Sequence, residues 1–474
     1  MKTSIKMKYT FLAFGFFIFS FTFAHGQDNR LIYSETGLRT TERVAEVLQR
    51  NRAYMSVDFV RIDLEKIRSF EQFTLQFEER NILINKERID VRGANSFWFV
   101  GGNNEGNRIY LSILDNDVQG VIETPTGIFS VVTTGNDEYA IVKVDQSKFR
   151  EAEPLSIDFE DVFDHENENI TTSSTLRAHD CKIRVLVLYT PNAVSKVSNI
   201  KNTVSLAINL TNESFIRSGV NHRIELAYAG PTNYTESHYS ADLYNFRVDG
   251  NGYMDEVHAL RNRYSADISV LLTYDINLCG VAYMGPVSED FAFAIVSSDC
   301  IAGNYTFAHE IGHLLGCHHD HHISTNTTIP YGHGYVHNLP SNRWITIMAS
   351  PSSACVGCPR ILNWSNPDVD TNGIAMGTHA TNNNARVWNE QSSRVAAFRQ
   401  PGNNVVVTGN DVSNGIYIDI IAKQNITTNG TVNIRNGSSV SMRAGNSITF
   451  GPGFSVEAGA TFSATIENIN DCGN

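Results

Sequence analysis

The sequence predicts an α/β core with a twisted, mostly parallel sheet, set between two regions of short strands. Three observations predict it. From "CKIRVLVLYTP" onward, continuous apolar runs alternate with stretches of helical period, the pattern of strand–helix–strand units. Ahead of that point, short Val, Ile, Phe and Tyr runs are broken by Gly, Asn and Asp, as in hairpins. After residue 400, short apolar pairs recur about every eight residues, with glycines between them.

A chain of 474 residues is too long for one core. The expected divisions are 1–26, 27–178, 179–400 and 401–474. In the first, "MKTSIKMK" carries three lysines, an apolar run covers 9–24, and Ala24-His25-Gly26 follows. That order reads as a secretory signal peptide cut before Gln27, since the run is short for a membrane span. The expected location is therefore extracellular. Net charge is −13, which argues against a nucleic-acid partner.

The region 27–178 holds no cysteine and no catalytic constellation. "NSFWFVGG" and "EYAIVKVD" read as its antiparallel strands. It ends in "DFEDVFDHENENITTSSTLRAHD", acidic and then Ser/Thr-rich, an exposed linker where a cut would release everything upstream.

In 179–400, Val185, Leu186, Val187 and Leu188 form a doubly buried strand. Pro191 suits a helix start, and Val197, Ile200, Val204, Ala207, Ile208, Thr211 and Phe215 mark a helix face that Gly219 ends. "HRIELAYAG", "ADISVLLTY" and "FAFAIV" read as further strands, and "MDEVHALRNRY" as a helix. A last helix in "NNARVWNEQSSRVAAFRQPG" stops at Pro401-Gly402. In 401–474, Val432/Ile434, Val440/Met442, Ile448/Phe450 and Val456 recur with Gly437, Gly445 and Gly453. A small β-solenoid is expected, with an irregular sandwich as the alternative.

Seven cysteines, an odd number, leave at least one thiol unpaired in an oxidising compartment. Cys355 and Cys358 lack the second CxxC that a structural zinc site needs, so a disulfide role is expected, with Cys317 as a candidate partner.

The chemistry lies in "FAHEIGHLLGCHHDHH", 307–322. His309 and His313 are four residues apart, which on a helix puts both imidazoles on one face, able to hold one zinc ion. Glu310 stands beside them, placed to take a proton from a metal-activated water. Gly316 should end the helix and let the chain turn back. His319 then fits the third-ligand position of HExxHxxGxxH, which leaves the fourth position for water. His318, His321 and His322 fit no position and are expected to be solvated. Met348, in "RWITIMAS", fits a methionine turn beneath the metal.

This residue set resembles the metzincin clan of zinc endopeptidases. Asp320 after His319 is similar to the adamalysin/reprolysin branch. "VLVLYTP", "FAHEIGHLLGCHHD", "TIMAS" and "CPRILNWSNPDV" together resemble the bacterial peptidyl-Asp metallopeptidases. The resemblance implies a metzincin catalytic domain with one catalytic zinc on His309, His313 and His319, Glu310 as general base, and a β-rich propeptide over 27–178. Ser350 stands where such enzymes often carry Tyr. No cysteine between Gln27 and Asp180 can supply a thiolate latch, so latency must come from steric cover or another ligand such as a carboxylate. No cationic pocket residue can be assigned from the sequence, so the preference for Asp is not carried over.

The expected protein is thus a secreted zinc endopeptidase made as a precursor, acting as a monomer on protein or peptide substrates. An extended substrate is expected along an edge strand, the one holding "FAFAIV". The alternative is an inactive secreted adhesive protein that uses its carboxy-terminal module on a cell surface or glycan. A zinc-scavenging role for "HHDHH" is a third reading.

Overall fold

A computed structural model describes residues 29–157 and 182–469, apart from 35–36, 38–39, 94, 136, 276, 326–327, 341, 351–353, 372 and 413–415. The expected leader, the 158–180 linker, Cys181 and Cys472 lie outside the described residues.

The amino-terminal strands close into a nine-stranded barrel. Alternation does this: in Gln72–Phe77 the residues Phe73, Leu75 and Phe77 are buried while Thr74 and Gln76 are half-buried. Closure comes from Arg30–Ser34, which pairs antiparallel with Tyr54–Ile62 and parallel with Gln72–Phe77. Inside, Phe73 meets Phe99 edge-to-face at 5.6 Å, and Phe77 meets Phe129 at 5.2 Å.

The central sheet runs in the order Gly280–Ala282, Phe293–Ser297, Ile268–Thr273, Lys182–Tyr189, Arg223–Pro231, Tyr417–Ala422, Ser439–Ala444, Thr461–Ile466. Its core strands are parallel, and Gly280–Ala282 is antiparallel at the edge. Ile268–Thr273 is buried at every residue, as expected of a strand covered on both faces. The strand from "FAFAIV" is therefore interior. The edge belongs to Gly280–Ala282, too short to stand out in the sequence, and the expected substrate edge is corrected to it.

The helix expected from Pro191 is two helices, Pro191–Lys196 and Ile200–Arg217. Asn199 separates them by capping the second, its side chain accepting from the N–H groups of Lys201 and Asn202. The barrel packs on this second helix, where Asn202 Nδ2 donates to Ser112 O at 2.9 Å. A helix at Tyr239–Arg247 was not expected.

The carboxy-terminal strands stack in parallel. Tyr417, Ser439 and Thr461 are register partners 22 residues apart, and Val432 pairs with Phe454 at the same step. Three faces of roughly eight residues make one such coil, so the period in the sequence was one face of a 22-residue turn. These coils extend the central sheet through Tyr228↔Ile418.

Cys279 pairs with Cys300 and Cys355 with Cys358, while Cys317 is buried and free. Cys317 is thus not the partner considered for the CxxC pair.

Candidate active site

The helix Thr306–Leu315 carries His309, Glu310 and His313, all buried. It stops at Gly316, whose φ of +102° favours glycine and whose N–H returns to the carbonyls of Gly312 and His313. The turn brings His319 back. The Nε2 atoms of His309, His313 and His319 stand 3.1 Å from one another. The Nδ1 atoms of His309 and His313 lie 2.8 Å from the carbonyls of Ile347 and Cys317. Each of these two Nδ1 atoms therefore carries the proton, and its Nε2 presents a lone pair to the centre. Facing lone pairs repel unless a cation lies among them, so the donor set fits one metal ion. Burial above all lowers His309 to about 3 and His313 well below the ordinary range, which keeps both neutral.

Glu310 is buried and neither carboxylate oxygen has a hydrogen-bond partner. Burial first, then the charge of Glu151, pushes its pKa well above the usual carboxylate range. The edge strand passes so close that a Cβ on Gly280 would lie 2.6 Å from Glu310 Oε1. A buried carboxylate thus lies beside both the three histidines and the edge strand.

Met348 is buried in a turn under the helix. A Cβ on Gly312 would come within 2.9 Å of its sulfur. Asp320 ties this turn to the loop that carries His319: Oδ2 accepts Ser350 N–H at 2.9 Å and Oδ1 accepts His322 N–H at 3.1 Å. His321 and His322 are exposed. His318 is not solvated as expected, because the loop that follows Gly316 pairs with the chain at Gly332 and Gly334 and buries its ring against His333.

Sequence reasoning missed four charged residues. Arg360 is buried beyond the Met348 turn and pairs with Glu151, which follows the barrel. Glu151 Oε2 lies 3.7 Å from His309 Nε2, and Glu153 Oε1 lies 3.5 Å from His319 Nδ1. Glu123, from the barrel, pairs with Arg217 at 2.6 Å. An arginine inside the apolar "CPRILNW" was the one available signal. Residues 150–155 lie along the edge strand: Cys279 N–H donates to Arg150 O at 2.7 Å, Leu155 N–H to Ala282 O at 2.9 Å, and Met284 N–H to Leu155 O at 2.9 Å.

A triad of imidazoles beside a buried carboxylate, on a mixed α/β core, defines a metallopeptidase, and "Metallo-peptidase family M12" matches residues 179–365. The chain is 32% identical over 359 residues to a peptidyl-Asp metalloendopeptidase of Xanthomonas campestris pv. campestris, covering 72% of this chain and 85% of that one. It is 37% identical over 305 residues to a peptidyl-Asp metalloendopeptidase of Stenotrophomonas maltophilia, covering 63% and 72%. A protein of the same name from Pseudomonas aeruginosa is 24% identical, covering 48% and 42%. The chain belongs to the family of bacterial peptidyl-Asp metalloendopeptidases, and it is a metal-dependent endopeptidase acting on proteins or peptides.

Proposed function

We propose that this is a secreted zinc endopeptidase, made as a precursor, that cuts beside acidic residues. The observation that carries the reading is the convergence of three Nε2 atoms at 3.1 Å next to the unpartnered carboxylate of Glu310. His309, His313 and His319 hold the ion. A bound zinc supplies Lewis acidity toward the peptide carbonyl and the attacking water. Glu310 takes the proton of that water and returns it to the leaving amine. The helix face fixes His309 and His313, the Gly316 turn fixes His319, and the Met348 turn fills the space beneath. The edge strand Gly280–Ala282 aligns the substrate through main-chain hydrogen bonds.

The barrel is read as the propeptide. Residues 150–155 already occupy the edge strand, and the carboxylates of Glu151 and Glu153 face two of the histidines. Latency then arises from steric cover and from a carboxylate at the centre, with no thiol. The acidic preference is taken from the relatives' name, peptidyl-Asp metalloendopeptidase.

The test pairs zinc content with peptide-library cleavage on the activated protein and on Glu310→Gln. One zinc per chain in both, with kcat lowered by about 10²–10⁴-fold in the variant, is expected. Full cleavage by Glu310→Gln would remove Glu310 as the base.

A further inference from the structure

Arg360 is wholly buried, yet its partner Glu151 places a carboxylate oxygen 3.7 Å from His309 Nε2. The main chain of Arg360 is fixed on both sides, because Pro359 O and Ile361 N–H bond to Ile345. Its guanidinium donates to Ala349 O at 2.6 Å and to Asn304 O at 3.1 Å. The remaining bonds go in a two-pronged pair to the carboxylate of Glu151, Nη2 to Oε2 at 2.8 Å and Nη1 to Oε1. Asn304 Nδ2 adds a bond to the same carboxylate at 3.1 Å. The carboxylate therefore sits between the guanidinium and His309.

Glu151 is not part of the catalytic core. It rides on residues 150–155, which lie on the edge strand as an added peptide would. We infer that Arg360 is the specificity-determining cation of this site: it receives the acidic side chain of the substrate residue next to the bond that is cut, and Glu151 holds that place in the precursor. This rests on the endopeptidase reading and adds the residue that reads the substrate.

The physical reason is pairing. When residues 150–155 leave, the buried guanidinium loses its carboxylate and keeps two backbone carbonyls. The two donors that held Glu151 are then open to an incoming side chain. A substrate carboxylate restores the two-pronged pair, whereas an amide or apolar side chain leaves the charge unmatched.

Two measurements test this. The first compares peptides carrying Asp or Glu with their Asn and Gln counterparts on each side of the cleaved bond, using the full chain activated by cleavage within 158–180. A preference of about 10²-fold for the acid is expected on one side. In Arg360→Gln it should fall to within about threefold while zinc content stays at one per chain; Arg360→Lys should keep part of it. Retention of the full preference by Arg360→Gln overturns the inference. The second guards against a variant that does not fold. The peptide of residues 150–157 is used to inhibit the unmutated enzyme. Glu151→Gln in that peptide should raise Ki by about 10²-fold, and Glu153→Gln by less than tenfold. Equal Ki for the parent and Glu151→Gln peptides overturns the inference. An unmutated enzyme that cuts no peptide sinks the endopeptidase reading itself, whereas one that cuts with no acid preference sinks only the role of Arg360.

Discussion

Glu123 Oε1, carried by the barrel, accepts the hydroxyl of Tyr305 at 2.8 Å, and Tyr305 is the residue that precedes the site helix. The same oxygen accepts Leu362 N–H at 2.7 Å, and Oε2 pairs with Arg217 at 2.6 Å. One barrel carboxylate thus joins the start of the site helix, the chain beyond Arg360 and the end of helix Ile200–Arg217.

Removing that carboxylate leaves Arg217 and the Tyr305 hydroxyl without their shared partner in a buried place. Glu123→Ala is therefore expected to destabilise the full chain by about 3–5 kcal/mol, read as a lowered urea midpoint. An unchanged midpoint would mean that the barrel covers the site without supporting it.

Asp320 acts at shorter range. It bonds the loop that carries His319 to the Met348 turn through Ser350 N–H. Asp320→Ala frees that loop, so zinc affinity should drop by about tenfold or more with the fold retained. Competition with a chelator of known affinity measures it. The Ser350 main chain, not its side chain, makes this bond.

How much of this was legible follows from the range of each interaction. The histidine spacing was readable because a helix and one glycine turn fix it locally. Arg360 and Glu151 were not, since they lie 209 residues apart and meet only after the barrel has docked. The three-residue edge strand carries too few residues to show a period, whereas the longer "FAFAIV" looked like a better candidate. His318 sits one residue from His319 in a polar run, and only the pairing at Gly332 and Gly334 buries it. The eight-residue period was visible, but the coil that it composes needs three faces to close.

Acid should loosen the carboxy-terminal coils from the core. Arg184 and Arg443 lie between Glu225 of the core and Asp419 of the coils, with Arg184 Nη1 at 2.5 Å from Glu225 and 2.7 Å from Asp419. Burial would raise the pKa of Glu225, but Arg184 and then Arg443 lower it to about 2. A carboxylate depressed on folding adds stability that is present above its unfolded value of about 4.3 and is lost as pH falls through the folded one. Its share is on the order of 2–3 kcal/mol. Unfolding midpoints should therefore fall between about pH 4.5 and 2, and Glu225→Gln should flatten that slope.

Metal removal should act on the whole central layer. Without an ion, three buried imidazoles face one another at 3.1 Å, and two of them are held in place by Ile347 and Cys317 carbonyls. The lone pairs can separate only by turning the rings away from those carbonyls or by taking up a proton, which burial opposes. Chelation should therefore lower Tm, and added zinc should restore it in a concentration-dependent way. At free zinc of about 1,000 times Kd the difference amounts to about 4 kcal/mol. His319→Ala should abolish most of this zinc-dependent shift. His321→Ala should leave it intact, because His321 is exposed and stacks on His333, away from the three converging nitrogens. A zinc response that followed His321 as strongly as His319 would place the ion in the exposed histidine run.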